Sequence, residues 1–456
     1  MRFRSTLILA LVLVGLGAYV YFVELPKEAN EDKKESLFSL KADEITEIDL
    51  QFPDRKIHLK KSGSQWQLTE PITADAESSA VDGMLSSITG AEIKKKLEGA
   101  AGDAAKFGLD KPVVTVALQQ GDKALTPFSV GKDTPIGGLV YVQRKDEPNV
   151  LLTASTLKLG VDKQVKDLRD KKLVTFADDD VQWIEVKSTR GDLRAVKTDG
   201  DKWNIEQPQP YAGDPSALRT YASSVRALRA VDFVEENAAD LARYGLDDPR
   251  LKISVGLKGD AVKTILIGNK KEGSTDIYAQ VEGKPAVYTI ADSNFRNVDK
   301  QVRDLRDKMI LSFNQADATS VEVTRKGSDP YRLVLGNDGK WAIEGSTEPL
   351  KANLVDQFLA DLHELKAYEI AGDNPRNLAE LGLDAPRLKV TVNGKNGPLG
   401  TVSIGETEAK DGTKNFNTMR DGNPTVYLLR AYLFTRLDKS KDDFSDKPTP
   451  AAPPAS

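Results

Sequence analysis

Cysteine is absent from this chain of 456 residues, and histidine occurs only twice, as His58 and His363. Without cysteine the chain has no disulfide, no thiolate metal site, no thiol nucleophile and no N-terminal cysteine for lipid attachment. Two histidines are too few for a zinc site that is built on several imidazoles. We therefore expect no metal, no cofactor and no catalytic residues, and we predict that the protein is not an enzyme.

The sequence also lacks long runs of charge of one sign. Lys and Arg together number 64, Asp and Glu number 69, and the net charge is −5. Because a nucleic-acid binder carries a basic patch or stripe, we expect no nucleic-acid partner. The composition is that of a globular protein, and the length suits about three domains.

Long apolar runs are limited to one, at residues 5–23, which contain 19 uncharged residues. A helix of that length reaches about 28 Å, close to the thickness of the hydrocarbon core. Arg2 and Arg4 precede the run and acidic residues follow it. The positive-inside rule then predicts a transmembrane anchor at 1–23, a polar stalk at 24–35, and the rest outside the cytoplasm. A cleaved signal peptide is the alternative, but its best cleavage site, at Gly17, lies inside the apolar run.

What the chain does contain is a unit of 137 residues that occurs three times. The phrase FGLDKP at 107–112 returns as YGLDDP at 244–249 and LGLDAP at 381–386. Self-similarity over so long a period predicts tandem domains. We place module one at 36–172, module two at 173–309 and module three at 310–447, and we predict a disordered tail at 448–456.

The pattern within module two predicts an α+β fold. Alternating apolar residues at 183–188, 193–198 and 202–207 predict a three-stranded meander, and further strands are expected at 250–257, 261–268, 276–283 and 286–290. Asp214 before Pro215 is a good start for a helix, and a short helix is expected around 292–306. The principal helix carries an apolar stripe of Leu218, Tyr221, Val225 and Leu228, repeated in module three as Val355, Phe358, Leu362 and Leu365. We therefore predict three mostly antiparallel modules, each with one principal helix, behind one transmembrane helix.

The repeated GLD phrase has an explanation in backbone geometry. In module two a helix is expected to stop at Tyr244, with Gly245 in the left-handed position of its C-terminal cap and Leu246 as the apolar contact. Asp247 suits a turn, and Pro249 starts the next strand. A catalytic Asp247 is the alternative. The equivalent residues are Gly108, Leu109, Asp110 and Pro112 in module one, and Gly382, Leu383, Asp384 and Pro386 in module three.

A second repeated segment lies at the module boundaries. DKQVKDLRDK at 162–171 returns as DKQVRDLRDK at 299–308, and DKSKDDFSDK at 438–447 is a worn third copy. Because bidentate Arg–carboxylate pairs fix orientation, we predict interdomain pairs here, with a solvated helix end as the alternative. The candidate residues are Arg169 with Asp170, and Arg306 with Asp307.

Other residues have simpler explanations. The repeated Trp66, Trp203 and Trp341 are predicted to anchor the cores, with carbohydrate platforms as the alternative. The SVGKDT sequence at 129–134 is predicted to be a β-turn rather than a phosphate loop. A chance match to a serine acyl-enzyme motif (Ser155 and Lys158), the RGD at 190–192 and the acidic run at 178–180 are assigned no function.

Taken together, the N-terminal anchor, the tryptophan strands, the GLD-x-P phrase, the IG turn and the LRDK junction resemble DUF4340, a bacterial family of unknown function. The resemblance covers residues 36–446 as three copies. Because relatives are often encoded beside ABC-transporter parts of the gliding-motility type, it implies an inner-membrane protein facing the periplasm, with a transporter or other envelope protein as partner. It supplies no catalytic residues. The leading hypothesis is a binding or scaffold protein, and the alternative is a glycan- or peptidoglycan-binding protein.

Overall fold

The computed structural model describes residues 35–409 and 412–446. The predicted anchor at 1–23, residues 24–34 of the predicted stalk and the predicted tail at 448–456 lie outside them. Within the described part of the chain, no helix is long and apolar enough to cross a membrane. The chain divides after Lys171 into two compact units.

The first unit contains one antiparallel sheet that packs against a principal helix, α1. Its strand order is β4-β3-β2-β1-β6-β8-β9-β10-β5, and β7 pairs with β6. The elements are β1 (Glu47–Gln51), β2 (Lys56–Ser62), β3 (Gln65–Glu70), β4 (Ala74–Asp75), α1 (Ser78–Thr89), β5 (Lys95–Leu97), α2 (Ala104–Phe107), β6 (Val114–Gln120), β7 (Lys123–Ala124), β8 (Phe128–Asp133), β9 (Leu139–Arg144), β10 (Val150–Ala154), α3 (Thr156–Val161) and α4 (Val165–Leu168).

The second unit begins with the module-two sheet, which has the same antiparallel plan. The strand order is β14-β13-β12-β11-β16-β17-β18-β19-β15. The elements are β11 (Val181–Ser188), β12 (Leu193–Lys197), β13 (Trp203–Gln207), β14 (Tyr211–Gly213), α5 (Pro215–Arg226), β15 (Asp232–Glu235), β16 (Leu251–Leu257), β17 (Val262–Lys270), β18 (Ile277–Val281), β19 (Val287–Ile290), α6 (Asp292–Val298) and α7 (Val302–Leu305).

The same unit continues with the module-three sheet. One edge strand is β23, and among the described residues this sheet has no counterpart of the edge strands β4 and β14. The order is β23-β22-β21-β26-β27-β28-β29-β25, and β20 pairs separately with β24. The elements are β20 (Met309–Ser312), β21 (Ala318–Arg325), β22 (Tyr331–Leu335), β23 (Trp341–Ile343), α8 (Ala352–His363), β24 (Glu364–Lys366), β25 (Glu369–Asp373), β26 (Leu388–Gly394), β27 (Gly397–Glu408), β28 (Lys414–Arg420), β29 (Thr425–Leu429), α9 (Ala431–Leu437) and α10 (Lys441–Phe444).

Each sheet buries its apolar residues against its own principal helix. Leu218, Tyr221 and Val225 of α5 are buried, and the Asp214 side chain caps this helix as its sequence predicts. The three largest apolar clusters lie within residues 37–168, 173–305 and 310–444. The predicted fold class, α+β with mostly antiparallel sheets, is confirmed.

Three details differ from the prediction. The helix expected around 292–306 is two short helices, α6 and α7, because the chain leaves helical geometry at Asp299. The helix of module three ends at His363, so Leu365 lies on β24, and the helix of module two ends at Arg226, so Leu228 lies beyond it. Only a single 3₁₀ turn, Ala242–Tyr244, precedes Gly245. Such short segments do not produce a periodic pattern that a sequence reveals.

The GLD phrase forms the cap that its glycine predicts. It also lies against another glycine that recurs in each module, Gly268 in module two. Gly245 has φ 64° and the left-handed conformation, and Leu246 is buried with Tyr244. A Cβ added at Gly268 would lie 2.2 Å from the Tyr244 carbonyl oxygen. Likewise, a Cβ added at Gly131 would lie 2.3 Å from the Phe107 carbonyl oxygen, and one added at Gly405 would lie 2.2 Å from that of Leu381.

The prediction of a β-turn at residues 129–134 is wrong. They do not form a β-turn, because residues up to Asp133 belong to strand β8. The repeated glycine, which is Gly131, Gly268 or Gly405, is needed for close approach of two backbones rather than for a turn.

Each module ends on a short helix that returns to the start of its principal helix. Gln301 and Asp304 form a capping box on α7, and the same box recurs on α4 and α10. Directly after the helix, a single β-bridge joins Arg306 to Gly213. The equivalent bridges are Ala76 with Arg169 in module one and Leu350 with Ser445 in module three. The repeated LRDK segment therefore closes its own module. Its β-bridge also fixes the backbone position from which the arginine side chain extends.

Candidate functional site at the junction of modules two and three

Arg306 leaves module two at the end of α7 and reaches into module three. Leu305 before it is buried in the module-two core, and the bridge to Gly213 holds the backbone. Only 7% of the Arg306 side chain is exposed. A guanidinium that is buried to this degree needs partners for its charge and for its N–H groups.

The Arg306 guanidinium forms a two-pronged pair with the carboxylate of Asp373 on β25. Nη1 donates to Oδ2 at 2.7 Å and Nη2 donates to Oδ1 at 3.1 Å. Nη2 also donates to the Thr425 hydroxyl at 2.9 Å, and this hydroxyl donates to Asp373 Oδ1 at 2.7 Å. Parallel bonds of this kind fix orientation as well as distance.

Tyr211 on β14 completes the arrangement from the module-two side. The Arg306 Cζ atom lies 3.6 Å from the centroid of its ring, and the Tyr211 hydroxyl donates to Asp373 Oδ2 at 3.1 Å. Gln209 donates to the same hydroxyl. Arginine suits this site because a planar guanidinium stacks on a ring and forms a fork at the same time.

A second ion pair crosses the junction with its charges reversed. Lys366 of module three donates to Asp214 Oδ2 at 2.9 Å, while Asp214 Oδ1 accepts the N–H groups of Ser216 and Ala217 at 2.9 and 3.1 Å. The capping residue of α5 thus has one oxygen for its own helix and one for the next module. Each module contributes one positive and one negative charge, which specifies the register between them.

Both junction carboxylates are held in the ionised form. Partial burial alone would raise the pKa of Asp373, but the hydrogen bonds from Arg306 and Thr425 outweigh it, and the pKa lies below its usual range. Burial is likewise outweighed at Asp214, where Lys366 and the Ala217 N–H lower the pKa. The ion pairs are therefore fully charged at neutral pH.

A polar cavity of about 460 Å³ adjoins the junction. Its walls are one face of α5, the end of α6 and the end of α7, and they include Thr220, Ser224, Asn297, Lys300 and Lys308. Over residues 35–409 and 412–446 no cluster of three or more potential metal ligands occurs. The hydroxyl, amide and ammonium groups of the cavity walls can donate hydrogen bonds to a ligand.

Arg306 lies at a junction, as its repeated sequence predicts, but its predicted partner is wrong. Asp307 accepts the N–H of Met309 at 3.0 Å, and the partner of Arg306 is Asp373. Arg306 has extended backbone geometry. Because successive side chains of an extended chain point in opposite directions, Arg306 and Asp307 face different surroundings. Tyr211, Asp214, Lys366 and Thr425 were not predicted to take part.

The equivalent pair in module one, Arg169 and Asp170, lies at the end of the first unit. Arg169 follows α4 and bridges to Ala76, and the Asp170 N–H donates to the Asp75 carbonyl oxygen at 2.8 Å. An ion pair between Arg169 and Asp170 stays a prediction.

The repeated tryptophans lie in the cores. Trp66 and Trp203 are only 3% and 7% exposed, and Trp341 is half-buried against the core of module three. The three GLD leucines are buried, while the aspartates that follow them, Asp110, Asp247 and Asp384, are exposed at the turn.

The remaining motifs are engaged in surface ion pairs. Lys158 binds Asp133 of β8 at 2.6 Å. In the acidic run, Asp178 binds Arg226 at 3.1 Å and Asp180 approaches Lys258 at 3.7 Å.

Comparisons with known proteins identify the family. No curated protein matches the chain. One solved structure that matches is a DnaN sliding clamp (DNA polymerase III subunit beta) from Pseudomonas aeruginosa bound to griselimycin, at 8% identity, covering 87% of this chain and 94% of that one. Its TM-score of 0.11 supports no argument about fold or function. The family "Domain of unknown function (DUF4340)" matches residues 66–238, 203–373 and 348–449, as tandem copies would. The chain therefore belongs to the DUF4340 family.

Proposed function

We propose that the protein is a non-enzymatic scaffold whose modules are held in a defined arrangement. The observation that carries this proposal is the buried fork between Arg306 and Asp373, stacked on Tyr211. A charge pair of this kind contributes to specificity of orientation more than to stability. Fixed orientation is what a scaffold needs when it presents surfaces to several partners at once.

The scaffold would be anchored by residues 1–23 in a bacterial inner membrane, with its modules on the periplasmic side. The uncharged run of 19 residues and the two arginines before it support this placement. Membership of the DUF4340 family is the basis for a transporter of the gliding-motility ABC type as the partner.

The alternative, binding of glycan or peptidoglycan, has less support from the side chains. Aromatic platforms for sugars must be open to solvent, and Trp66 and Trp203 are buried. The cavity beside α5 is lined by hydroxyl, amide and lysine groups, and its aromatic residue, Tyr221, is only 2% exposed and offers no open platform.

A pull-down of the intact, membrane-anchored chain tests the proposal. We expect transporter subunits to co-purify with the wild-type protein and with the control Arg296→Ala, and to be reduced by Arg306→Ala. Arg296 is a suitable control because it forms an exposed pair with Asp292 within α6. Retention on the cell wall without transporter subunits would instead support the glycan-binding alternative.

Topology is tested separately with reporters fused after Pro448. A reporter that works only outside the cytoplasm should be active there. Activity of a cytoplasm-only reporter at this position would exclude the anchored, periplasmic arrangement.

A further inference from the structure

Module three has an open sheet edge where the other two modules supply a strand of their own. In modules one and two the strand that contains the repeated tryptophan pairs on its outer side with β4 or β14. In module three the corresponding strand, β23, is the last strand of its sheet.

The register of β23 shows which backbone groups face the open side. Gly336 N donates to Lys340 O at 2.8 Å and Glu344 N donates to Arg332 O at 2.9 Å, so residues 340, 342 and 344 point their backbone groups at β22. Because these groups alternate along a strand, those of Trp341 and Ile343 point outward. The Ile343 carbonyl oxygen accepts the Ser346 N–H at 3.0 Å.

The outward groups have a partner in the other modules. In module one the Ala76 N–H donates to the Trp66 carbonyl oxygen at 2.9 Å. In module two Trp203 lies opposite Gly213. Among the residues that the structure describes, no backbone hydrogen bond to the outer side of Trp341 is formed.

The sequence of module three explains why its own chain does not fill this position. The residue opposite the tryptophan is small in the other modules, and a Cβ added at Gly213 would lie 2.7 Å from Leu218 Cδ1. The module-three residue that makes the bridge equivalent to that of Gly213 is Leu350, and its side chain packs against the core. Its chain is also one residue shorter, with Trp341 ten residues before the helix cap at Lys351, against eleven between Trp203 and Asp214.

A cavity of about 640 Å³ begins at this edge. It extends from Ile343 and Glu344 over the ends of β21 and β22 to the first turn of α10. Four acidic and two basic side chains line it, which gives a formal charge of −2. These are Glu322, Glu344, Glu348, Asp442, Arg332 and Lys441.

We propose that β23 and this cavity form a docking groove for an extended, basic segment of a partner protein. The segment adds an antiparallel strand beside β23, in the position that β4 and β14 fill in the other modules, with a small residue opposite Trp341. Strand addition to an open edge derives affinity from backbone hydrogen bonds and specificity from side-chain pockets. An unprotected edge is otherwise a site of unwanted pairing. This groove is separate from the Arg306 junction, so either proposal can fail without the other.

The test uses a synthetic peptide that copies the strand that module two supplies. The probe carries residues 209–213 of this chain, Gln-Pro-Tyr-Ala-Gly, between two lysine pairs and a fluorophore. We expect saturable binding to the full chain by fluorescence anisotropy. Peptides with glutamate pairs, or with N-methyl groups on the tyrosine and glycine nitrogens, should bind at least tenfold more weakly. Amide exchange at Trp341 and Ile343 should slow when the peptide binds.

Two variants locate the binding. Ile343→Pro removes an outward N–H without removing a bond to β22, and Glu344→Lys reverses a charge in the groove. Each should weaken binding at least tenfold. Glu364→Lys, an exposed change of the same charge on β24, should leave binding unchanged.

Three results would overturn the proposal. They are the absence of saturable binding, equal binding by Glu344→Lys and Glu364→Lys, and a concentration-dependent dimer that Ile343→Pro abolishes. The last would assign the groove to a second copy of this chain instead of a partner.

Discussion

Arg306 is 7% exposed and Asp373 is 23% exposed, and each charge has the other as its counterion. Loss of an exposed pair of this kind costs about 0–1 kcal/mol. Burial raises the expected cost, because removal of one partner leaves the other charge without compensation. We predict that Arg306→Ala lowers the free energy of unfolding of the second unit by roughly 2–4 kcal/mol, measured by urea denaturation.

The matched control is Arg296→Ala, which removes an exposed pair within α6 and should cost about 0.5 kcal/mol or less. Equal losses for the two variants would mean that the fork contributes no more than a surface pair. Arg306→Lys should recover only part of the loss, since lysine forms no fork and does not stack on Tyr211.

Glycine is required at Gly268 and at Gly245 for different reasons: close backbone packing at the first and a left-handed backbone at the second. A Cβ at Gly268 meets the Tyr244 carbonyl oxygen at 2.2 Å, and backbone cannot move aside as a side chain can. We predict that Gly268→Ala lowers the melting temperature of the chain, with a cost of about 1–3 kcal/mol. Gly245→Val should cost about 1–2 kcal/mol or more, from the left-handed backbone. Gly83→Ala, in helix α1 with open space around it, should be neutral or stabilising.

Asp247→Asn is the companion to the glycine variants. Because Asn keeps a turn-forming side chain, it should have a mild effect on stability. If Asp247→Asn proved more harmful than Gly245→Val, the architectural account of the GLD phrase would be wrong.

At the scale of single elements, α5 depends on Asp214 in two ways. Its Oδ1 atom caps the helix, and its Oδ2 atom binds Lys366. Asp214→Asn keeps a capping oxygen and loses the ion pair, whereas Asp214→Ala loses both. We predict that Asp214→Ala costs about 1–2 kcal/mol more than Asp214→Asn in thermal or urea unfolding. Equal costs would show that the cap is not important for the stability of α5.

The sequence predicts those elements that are determined by the pattern of neighbouring residues. The strands β11, β12 and β13 follow from alternation, α5 from its apolar stripe and its cap, and the turn at Gly245 from glycine and proline chemistry. The edge strands β14 and β15 span only three and four residues and carry no clear period. For this reason Tyr211 was missed.

The partner of Arg306 could not be found from local pattern either. Asp373 is 67 residues further along the chain, and the two meet only because α7 lies against β25. A repeated arginine indicates that its side chain makes a contact. Which carboxylate it contacts depends on the folded arrangement of the chain. The open edge at β23 is a further example, because it depends on which strand lies beside β23 in the folded sheet.

At the scale of the whole molecule, the junction should respond to acid. The pKa values of Asp373 and Asp214 are lowered in the folded protein, so the unfolded state binds protons more readily. Their contribution to stability is fully present above the unfolded pKa of about 3.9, and it is lost as the pH falls through the folded values. We predict that the difference in unfolding free energy between wild type and Arg306→Ala is constant from pH 7 to about 5 and shrinks below about pH 4.

Urea titrations at a series of pH values measure this difference directly. A difference that stayed constant down to pH 3 would mean that Asp373 is not the group that Arg306 holds ionised.

The Arg306 fork is proposed to hold modules two and three in one arrangement. Because the chain has no cysteine, spin labels are introduced specifically at Glu272→Cys in module two and Asn396→Cys in module three, both exposed. The measurement is the distribution of label-to-label distances by pulsed electron paramagnetic resonance. We predict one narrow distribution for the otherwise wild-type chain and for Arg296→Ala, and a broadened one for Arg306→Ala with each module still folded. A distribution of unchanged width in folded Arg306→Ala would contradict the account.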